Sequence, residues 1–425
     1  MLKSYHKSMR IIADLHIHSK YSRACSKNLD LEHINQWAKW KGIKIVGTGD
    51  FTHPVWLKEL KSKLVEDRPG LFKLKDDPDS IWFMLSAELS SIYSHDGKTR
   101  RVHTCLLAPD FTSVDKIIFE LEKRKVNLKS DGRPIMGISA KDLAGMIFGI
   151  NPKIMVIPAH AWTPWFSVFG SFSGFNSLQE CFGEAAKNIF CIETGLSSDP
   201  PMNWRLSALD KITLISNSDA HSPANLGREA NVFEIDEDKL SYQEIYRILK
   251  EKDKKSFLYT IEFFPEEGKY HWDGHAACHI QFSPEETKKN HGICPVCKKP
   301  LTVGVLNRVD QLADRPDGYK LDTILYKSLV PLAEIISDTV GVGKGSKKVA
   351  ALYESLIKAG GSEFAVLLDK SQKELELITL PEIAAAIINV RSGQVEISAG
   401  YDGVYGIVKV INELKVKKTA QKKLL

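Results

Sequence analysis

Short apolar runs that end in histidine, aspartate or glutamate punctuate the first 265 residues. They include the IIA run before Asp14-Leu-His-Ile-His18, IKIVGTGDFTH, WFMLSAE, RVH, IMVIPAH and ITLISNSDAH. Between such runs lie stretches with apolar residues at helical spacing, at 31–40, 114–125, 139–149 (Ser139 as a cap) and 241–252. β-rich runs fall near 10, 43, 82, 102, 153, 189 and 212. This alternation predicts about seven strands in a parallel sheet with crossover helices. A barrel is preferred to an open sheet, because it gathers residues from the C-terminal ends of many strands onto one axis.

The chemistry lies where the runs end. If residues 10–15 form a strand, His16 and His18 share a face, since side chains alternate with period two. Six histidines and three carboxylates then collect at one mouth: His16, His18, Asp50, His53, Glu88, His103, His160, Asp219 and His221. Zinc takes about four ligands, so nine imply two or three divalent ions (Zn, Mg or Mn). Glu88 or Asp219 could bridge them. Such clusters suit phosphoester hydrolysis, because one ion acidifies a bound water while others hold the phosphoryl oxygens. Carbonyl hydrolysis of the amidohydrolase type is the competing chemistry, but it needs fewer ions and often a bridging lysine.

The motifs DLHIHS, GDFTH, SAELS, RVH, PAH and SDAH together resemble the polymerase and histidinol phosphatase (PHP) superfamily. That resemblance implies a distorted (β/α)7 barrel and a trinuclear site held by the nine residues above. One departure is the spacing of Asp50 and His53, which Phe51 and Thr52 separate. Glu193, closing NIFCIE, lies outside the nine and is read as a partner behind a ligand or as a structural carboxylate.

A chain of 425 residues is too long for one ordinary domain. The α/β barrel is expected over 1–265, a zinc ribbon over 266–306 and a mostly helical domain over 307–425. The formal charge of +5 is mild and permits an anionic partner. No signal-peptide pattern and no membrane-length apolar run is visible, so a soluble, cytoplasmic protein without a membrane partner is expected. Seven cysteines, unevenly spaced, do not form a disulfide framework. His275-x2-Cys278, fifteen residues and Cys294-x2-Cys297 match a ribbon that holds one structural zinc, with His271 and His279 as rivals to His275.

The segment 163–176, TPWFSVFGSFSGFN, places Trp165, Phe166, Phe169, Phe172 and Phe175 beside Gly170 and Gly174. It reads equally as a loop packed on its own barrel and as a stacking platform for a base. Arg100 and Arg101 are candidate phosphate contacts, and His95 lies in a polar turn. In the C-terminal region LDTILYKSLVPLAEIISDTV, SKKVAALYESLIKA and PEIAAAIINVRSG are expected to be helices, and QVEISAGYDGVYGIVKVI a strand and turn. GVGKGSKK is not a Walker A motif. Lys344, Ser346, Lys347 and Lys348 could contact a nucleic-acid backbone there, or form a plain solvated turn. The last seventeen residues hold six lysines and one glutamate.

The whole order, barrel, SPEETKKNHGICPVC ribbon, GVLNRVDQLADRP and a helical tail with GVGKGS, resembles the endonuclease Q family over essentially the full length. That resemblance implies a DNA repair nuclease cutting 5′ to deaminated bases (uracil, hypoxanthine, xanthine) or abasic sites. It leaves a sliding clamp open as a further partner. The alternatives are a small-molecule phosphomonoesterase of histidinol-phosphatase type and a catalytically dead DNA-binding protein.

Overall fold

Seven strands stand where the apolar runs place them. In this computed structural model, which describes residues 7–410, they are β1 (Ser8–Asp14), β2 (Ile45–Gly47), β3 (Trp82–His95), β4 (Lys98–Ala108), β5 (Met155–Pro158), β6 (Cys191–Glu193) and β7 (Thr213–Ile215). β1 pairs with β2 and β2 with β3, both parallel. β3–β4 and β4–β5 are antiparallel. Ala161 N donates to Glu193 O at 3.0 Å across the β5–β6 joint, and β6 is parallel to β7. The chain beyond β7 returns to β1 through the Ile17–Ala220 bridge. The result is a distorted seven-stranded α/β barrel.

The expectation of a wholly parallel sheet fails at β4. Asp96 and Gly97 have φ of 49° and 72°, the left-handed pair that a two-residue hairpin requires. The chain therefore reverses after His95 instead of crossing over. The apolar residues after RVH carry β4 on to Ala108, so His103 sits inside the strand and not at its end.

Alternate residues of the strands enter two separate cores. Ile11, Ala13, Ile45, Met84, Leu107, Ile157 and Ile215 fill the barrel, while Ile12, Val46, Phe83, Leu106, Val156 and Leu214 face the helices. Burial on both faces is why the strands read as continuous apolar runs. Expected helices form at Leu31–Lys41, Phe111–Lys123, Ala140–Ile150 and Tyr242–Glu251, each N-capped by the side chain before it: Asp30, Asp110, Ser139 and Ser241. The last of these closes the end of the barrel away from the histidines, where Tyr242 Oη bonds Leu107 O and Lys153 O at 2.7 Å.

The sheet also extends beyond the ring. β8 (Ala230–Asp236) pairs antiparallel with β1, and β9 (Phe257–Glu262) with β8. Residues Leu325–Ser328 then join β9 in parallel. The sequence pattern assigned those residues to a helix. Pro331 starts a new helix, Leu332–Val340, and a proline restricts the residue before it to extended backbone, so LYKS is left as an edge strand.

Leu332–Val340 packs with Lys347–Gly360 and Pro381–Arg391, and Gln372–Ile378 packs on those two helices. Val395–Ser398 and Ile407–Val410 form the expected strand and turn as an antiparallel pair. The basic tail beyond Val410 lies outside the described residues. The helical part is tied to the barrel by Lys41, whose Nζ meets Glu363 Oε2 at 2.7 Å with both side chains buried. Glu363 also accepts from Leu332 N at 3.1 Å and Tyr353 Oη at 2.6 Å. Removing one partner of a buried ion pair costs about 3–5 kcal/mol. Lys41→Met should therefore lower unfolding stability by about 3 kcal/mol, the low end because Glu363 keeps two hydrogen bonds; urea titration checks this.

Candidate metal centre

β1 ends at Asp14, so the His16–His18 pair is aimed by the seam and not by the strand. Ile17 bridges to Ala220 and lies in the outer core, which turns the imidazoles on either side of it inward. Asp14 locks that seam by accepting from Ser218 N at 3.0 Å and Gly227 N at 2.9 Å. Burial pushes its carboxyl up to about 6.

Four of the nine expected residues converge first. Nε2 of His18 lies 3.3 Å from Glu88 Oε2 and 3.0 Å from Asp219 Oδ1, and Nε2 of His16 lies 3.6 and 3.7 Å from the same oxygens. Glu88 Oε1 meets a second set, His103 Nδ1 at 2.7 Å and His160 Nε2 at 3.1 Å. One buried carboxylate thus turns each of its oxygens toward a different pair of imidazoles.

Glu193 and Asp50 stand behind this cluster. Glu193 holds His16 Nδ1 at 3.0 Å and accepts from His160 N and Asn217 Nδ2. Asp50 holds His18 Nδ1 at 3.0 Å and accepts from Ser19 N and Ser22 Oγ. A carboxylate on Nδ1 leaves Nε2 with its lone pair toward a ligand. His160 Nδ1 lies 2.9 Å from Thr163 Oγ1. The remaining two of the nine lie outside both groupings: His53 stacks on Tyr21 with ring centroids 4.5 Å apart, and His221 Nδ1 lies 2.8 Å from Asp219 O.

Electrostatics match the packing. Burial works against charge on Glu88, but the hydrogen bond from His103 and the charges of Arg133 and His16 outweigh it and hold its carboxyl well below the usual range. Asp219 is likewise buried, yet His18 and His16 hold it low. Burial pushes His103 down to about 4, so it stands neutral as a ligand must. Asp50, His160 and Asp219 all have positive φ, of 49°, 29° and 46°. Left-handed backbone costs an ordinary residue roughly 1–2 kcal/mol, and here the strain gathers at the cluster.

The donor set fits metal ions. His16 Nε2, His18 Nε2 and Asp219 Oδ1 are buried with no hydrogen-bond partner, and a buried polar atom left unpaired costs about 1–3 kcal/mol. Imidazole and carboxylate together suit zinc, manganese or magnesium. In the ribbon, His275, Cys278, Cys294 and Cys297 bring one ligand atom each within 4.8 Å of one another. His271 is buried apart from them and His279 is exposed.

The aromatic segment divides its side chains. Phe169 and Phe175 are core residues. Phe166 lies on the His103 ring at 4.6 Å, and Trp165 stacks on half-exposed Phe172 at 4.6 Å. Gly170 is buried against the carbonyls of Thr163 and Pro164. Arg100 is spent inside the fold, bonding Gly174 O with its guanidinium over Phe175, while Arg101 is half-buried beside Phe166. Arg308, which sequence reading passed over, donates to Phe169 O and Phe175 O at 3.0 Å and to Asn176 Oδ1 at 2.8 Å. It comes from the helix Val305–Leu312 just after the ribbon.

A cavity of about 270 Å³ opens on the cluster, walled by His103, His160, Trp165, Phe166, Glu193 and Asp219. A groove of about 670 Å³ continues from Asp219 and His221 past Arg228 to Lys344 and Tyr405. Lys344 pairs with Glu334 at 2.8 Å. Ser346 caps the helix Lys347–Gly360, and Lys347 and Lys348 are exposed at its start.

A family model described as the MJ0043 C-terminal domain matches residues 331–394. An uncharacterized protein of Methanocaldococcus jannaschii is 33% identical over 318 residues, 69% of this chain and 39% of that one. The chain thus spans well under half the length of that relative. The crystal structure of a lesion-specific endonuclease, endonuclease Q of Pyrococcus furiosus, superposes with a TM-score of 0.84 at 32% identity, over 96% of this chain and 97% of that one. An endonuclease Q structure in complex with a 27-mer duplex bearing an abasic lesion at its active site gives a TM-score of 0.83 at 32% identity, over 96% and 98%.

The segment next to the cluster leaves no room at Gly132. A Cβ there would lie 2.2 Å from Asp50 Oδ2 and 2.3 Å from Ser22 Oγ. Gly132→Ala should cost about 1–3 kcal/mol, the range for an overpacked interior, measured by urea unfolding.

Proposed function

The chain belongs to the endonuclease Q family, and we propose on that premise that it is a metal-dependent DNA repair endonuclease. It hydrolyses the phosphodiester 5′ to deaminated bases (uracil, hypoxanthine, xanthine) and to abasic sites. The observation that carries the hydrolytic reading is Glu88, whose two oxygens face two sets of imidazoles. The abasic site has the support of the relative solved with an abasic duplex, and the deaminated bases rest on the family resemblance.

His16, His18, Glu88 and Asp219 would hold one divalent ion, and Glu88, His103 and His160 another. Asp50, His53 and His221 complete the proposed set of nine, on which a third ion would draw. Zinc, manganese or magnesium held there would supply Lewis acidity, to acidify water and neutralise charge on the phosphoryl oxygens.

The protein groups set the geometry around that chemistry. Glu193 and Asp50 fix the tautomers and ring planes of His16 and His18 through their Nδ1 atoms. No side chain need act as nucleophile. Trp165, Phe166 and Phe172 at the rim offer π-faces to an unstacked base, a contact that contributes about 1–3 kcal/mol per base. Phe169, Gly170 and Arg100 shape that loop from beneath, and Arg101 lies at its edge. Ser346 fixes the turn that presents Lys344, Lys347 and Lys348 beside the groove, where they can meet the DNA backbone. A lesion is cheaper to extrude than a paired base, which contributes to selectivity. Among the described residues no helix is long and apolar enough to cross a membrane. No observation supports a sliding clamp.

Labelled duplexes carrying uracil, hypoxanthine, an abasic site or no lesion should be cut only at the lesion and on its 5′ side, with activity lost to chelator and restored by a divalent ion. Indiscriminate degradation, or phosphomonoester turnover equal to that on DNA, overturns the reading. The ribbon is proposed to hold one structural zinc, so Cys294→Ser should lose one zinc equivalent in elemental analysis.

A further inference from the structure

Arg133 belongs to none of the motifs above, yet its Nη1 donates to Glu88 Oε2 at 2.8 Å. That is the oxygen facing His16 and His18. Among the described residues Arg133 is the only lysine or arginine ion-paired with Glu88 or Asp219. Arg228, nearby, reaches only the carbonyls of Ser218 and Asp219.

The segment that carries Arg133 is stitched down on both sides. Asp131 Oδ1 accepts from Arg23 N and Arg133 N, both at 3.2 Å, and Gly132 N donates to Tyr21 O at 3.1 Å. Ser90 N donates to Pro134 O at 3.1 Å, and Ile135–Met136 then runs beside Ser90 and Ser91 of β3. The arginine is therefore held against the cluster by the loop after His18 and by the strand that carries Glu88. Its side chain is 26% exposed, so the arginine is not sealed inside the fold.

We propose that Arg133 grips the phosphodiester that is cut, an inference that rests on the nuclease reading above. Guanidinium is charged at any working pH and offers a planar fork of donors. An ion held at Glu88 would draw on the same carboxylate that the arginine pairs with, and among the described hydrogen bonds the guanidinium engages only Nη1, leaving further N–H donors for an anion. Asp131 is engaged elsewhere, Oδ1 by two amides and Oδ2 beside Arg23 Nε at 3.3 Å. A fixed cation beside the cluster is then free for an anion, and two non-bridging phosphate oxygens match its fork.

Binding tests this without relying on turnover. Anisotropy is read in the binding phase of a stopped-flow mix, ahead of cleavage, with a lesion duplex and with the same duplex carrying an uncharged methylphosphonate 5′ to the lesion. Arg133→Gln should bind the ordinary duplex about 10- to 100-fold more weakly than wild type, the value of a hydrogen bond to a charged group. It should match wild type on the methylphosphonate duplex and keep wild-type barrel metal by elemental analysis, and Arg133→Lys should recover part of the loss. Equal losses on both duplexes, no loss on either, or loss of barrel metal overturns the proposal while the nuclease reading stands. Failure of the wild type to bind or cut any lesion duplex overturns both.

Discussion

A barrel of seven short strands has one difficult joint, where the last must meet the first, and here the Asp14 carboxylate makes it. It ties β1 to the amides of Ser218 and Gly227 at a place where β7 has already ended and no regular ladder is available. Asn217 reinforces the joint, accepting from Leu15 N at 2.8 Å and donating to Glu193 Oε1 at 2.8 Å. The same few residues thus close the sheet, orient the first histidine pair and fix the carboxylate behind His16. Fold and site share one network, which is why a buried polar cluster can be kept so close to the apolar interior.

Around that joint the cluster is arranged in layers. Nε2 of His16, His18 and His160, Nδ1 of His103 and two carboxylates face inward, and a second ring of Glu193, Asp50 and Thr163 holds the outer nitrogens of His16, His18 and His160. The backbone pays in left-handed residues at Asp50, His160 and Asp219, positions that only a densely bonded surrounding keeps in place.

Much of this was legible in the sequence, for physical reasons. Strands buried on both faces must be apolar throughout, so their positions showed as runs, and residues that end such runs fall at the barrel mouth. Direction was harder. The reversal at β4 had a signal, the Asp96-Gly97 pair inside SHDGKT, but the apolar run after it resembled one more parallel unit. The edge strand Leu325–Ser328 was hidden inside a helical pattern, with Pro331 as the only cue. Asp50 could be found but not placed: chain spacing cannot say whether a carboxylate faces a cluster or the back of an imidazole. Arg133 carried no pattern at all, since SDGRP reads as a turn and its aim depends on contacts with residues 21 and 90, far away in the chain.

The grip of Arg308 on Phe169, Phe175 and Asn176 makes the aromatic loop a joint possession of two segments. The loop's lower side rests on β4 through Arg100, and its upper side hangs from the helix that follows the ribbon. Excising the barrel as a free-standing unit would leave three carbonyl groups without their donor and the rim of the barrel mouth slack. The helix Val305–Leu312 is therefore better understood as scaffolding for the barrel mouth than as a mere connector, and moving it between proteins would carry the loop's shape along with it.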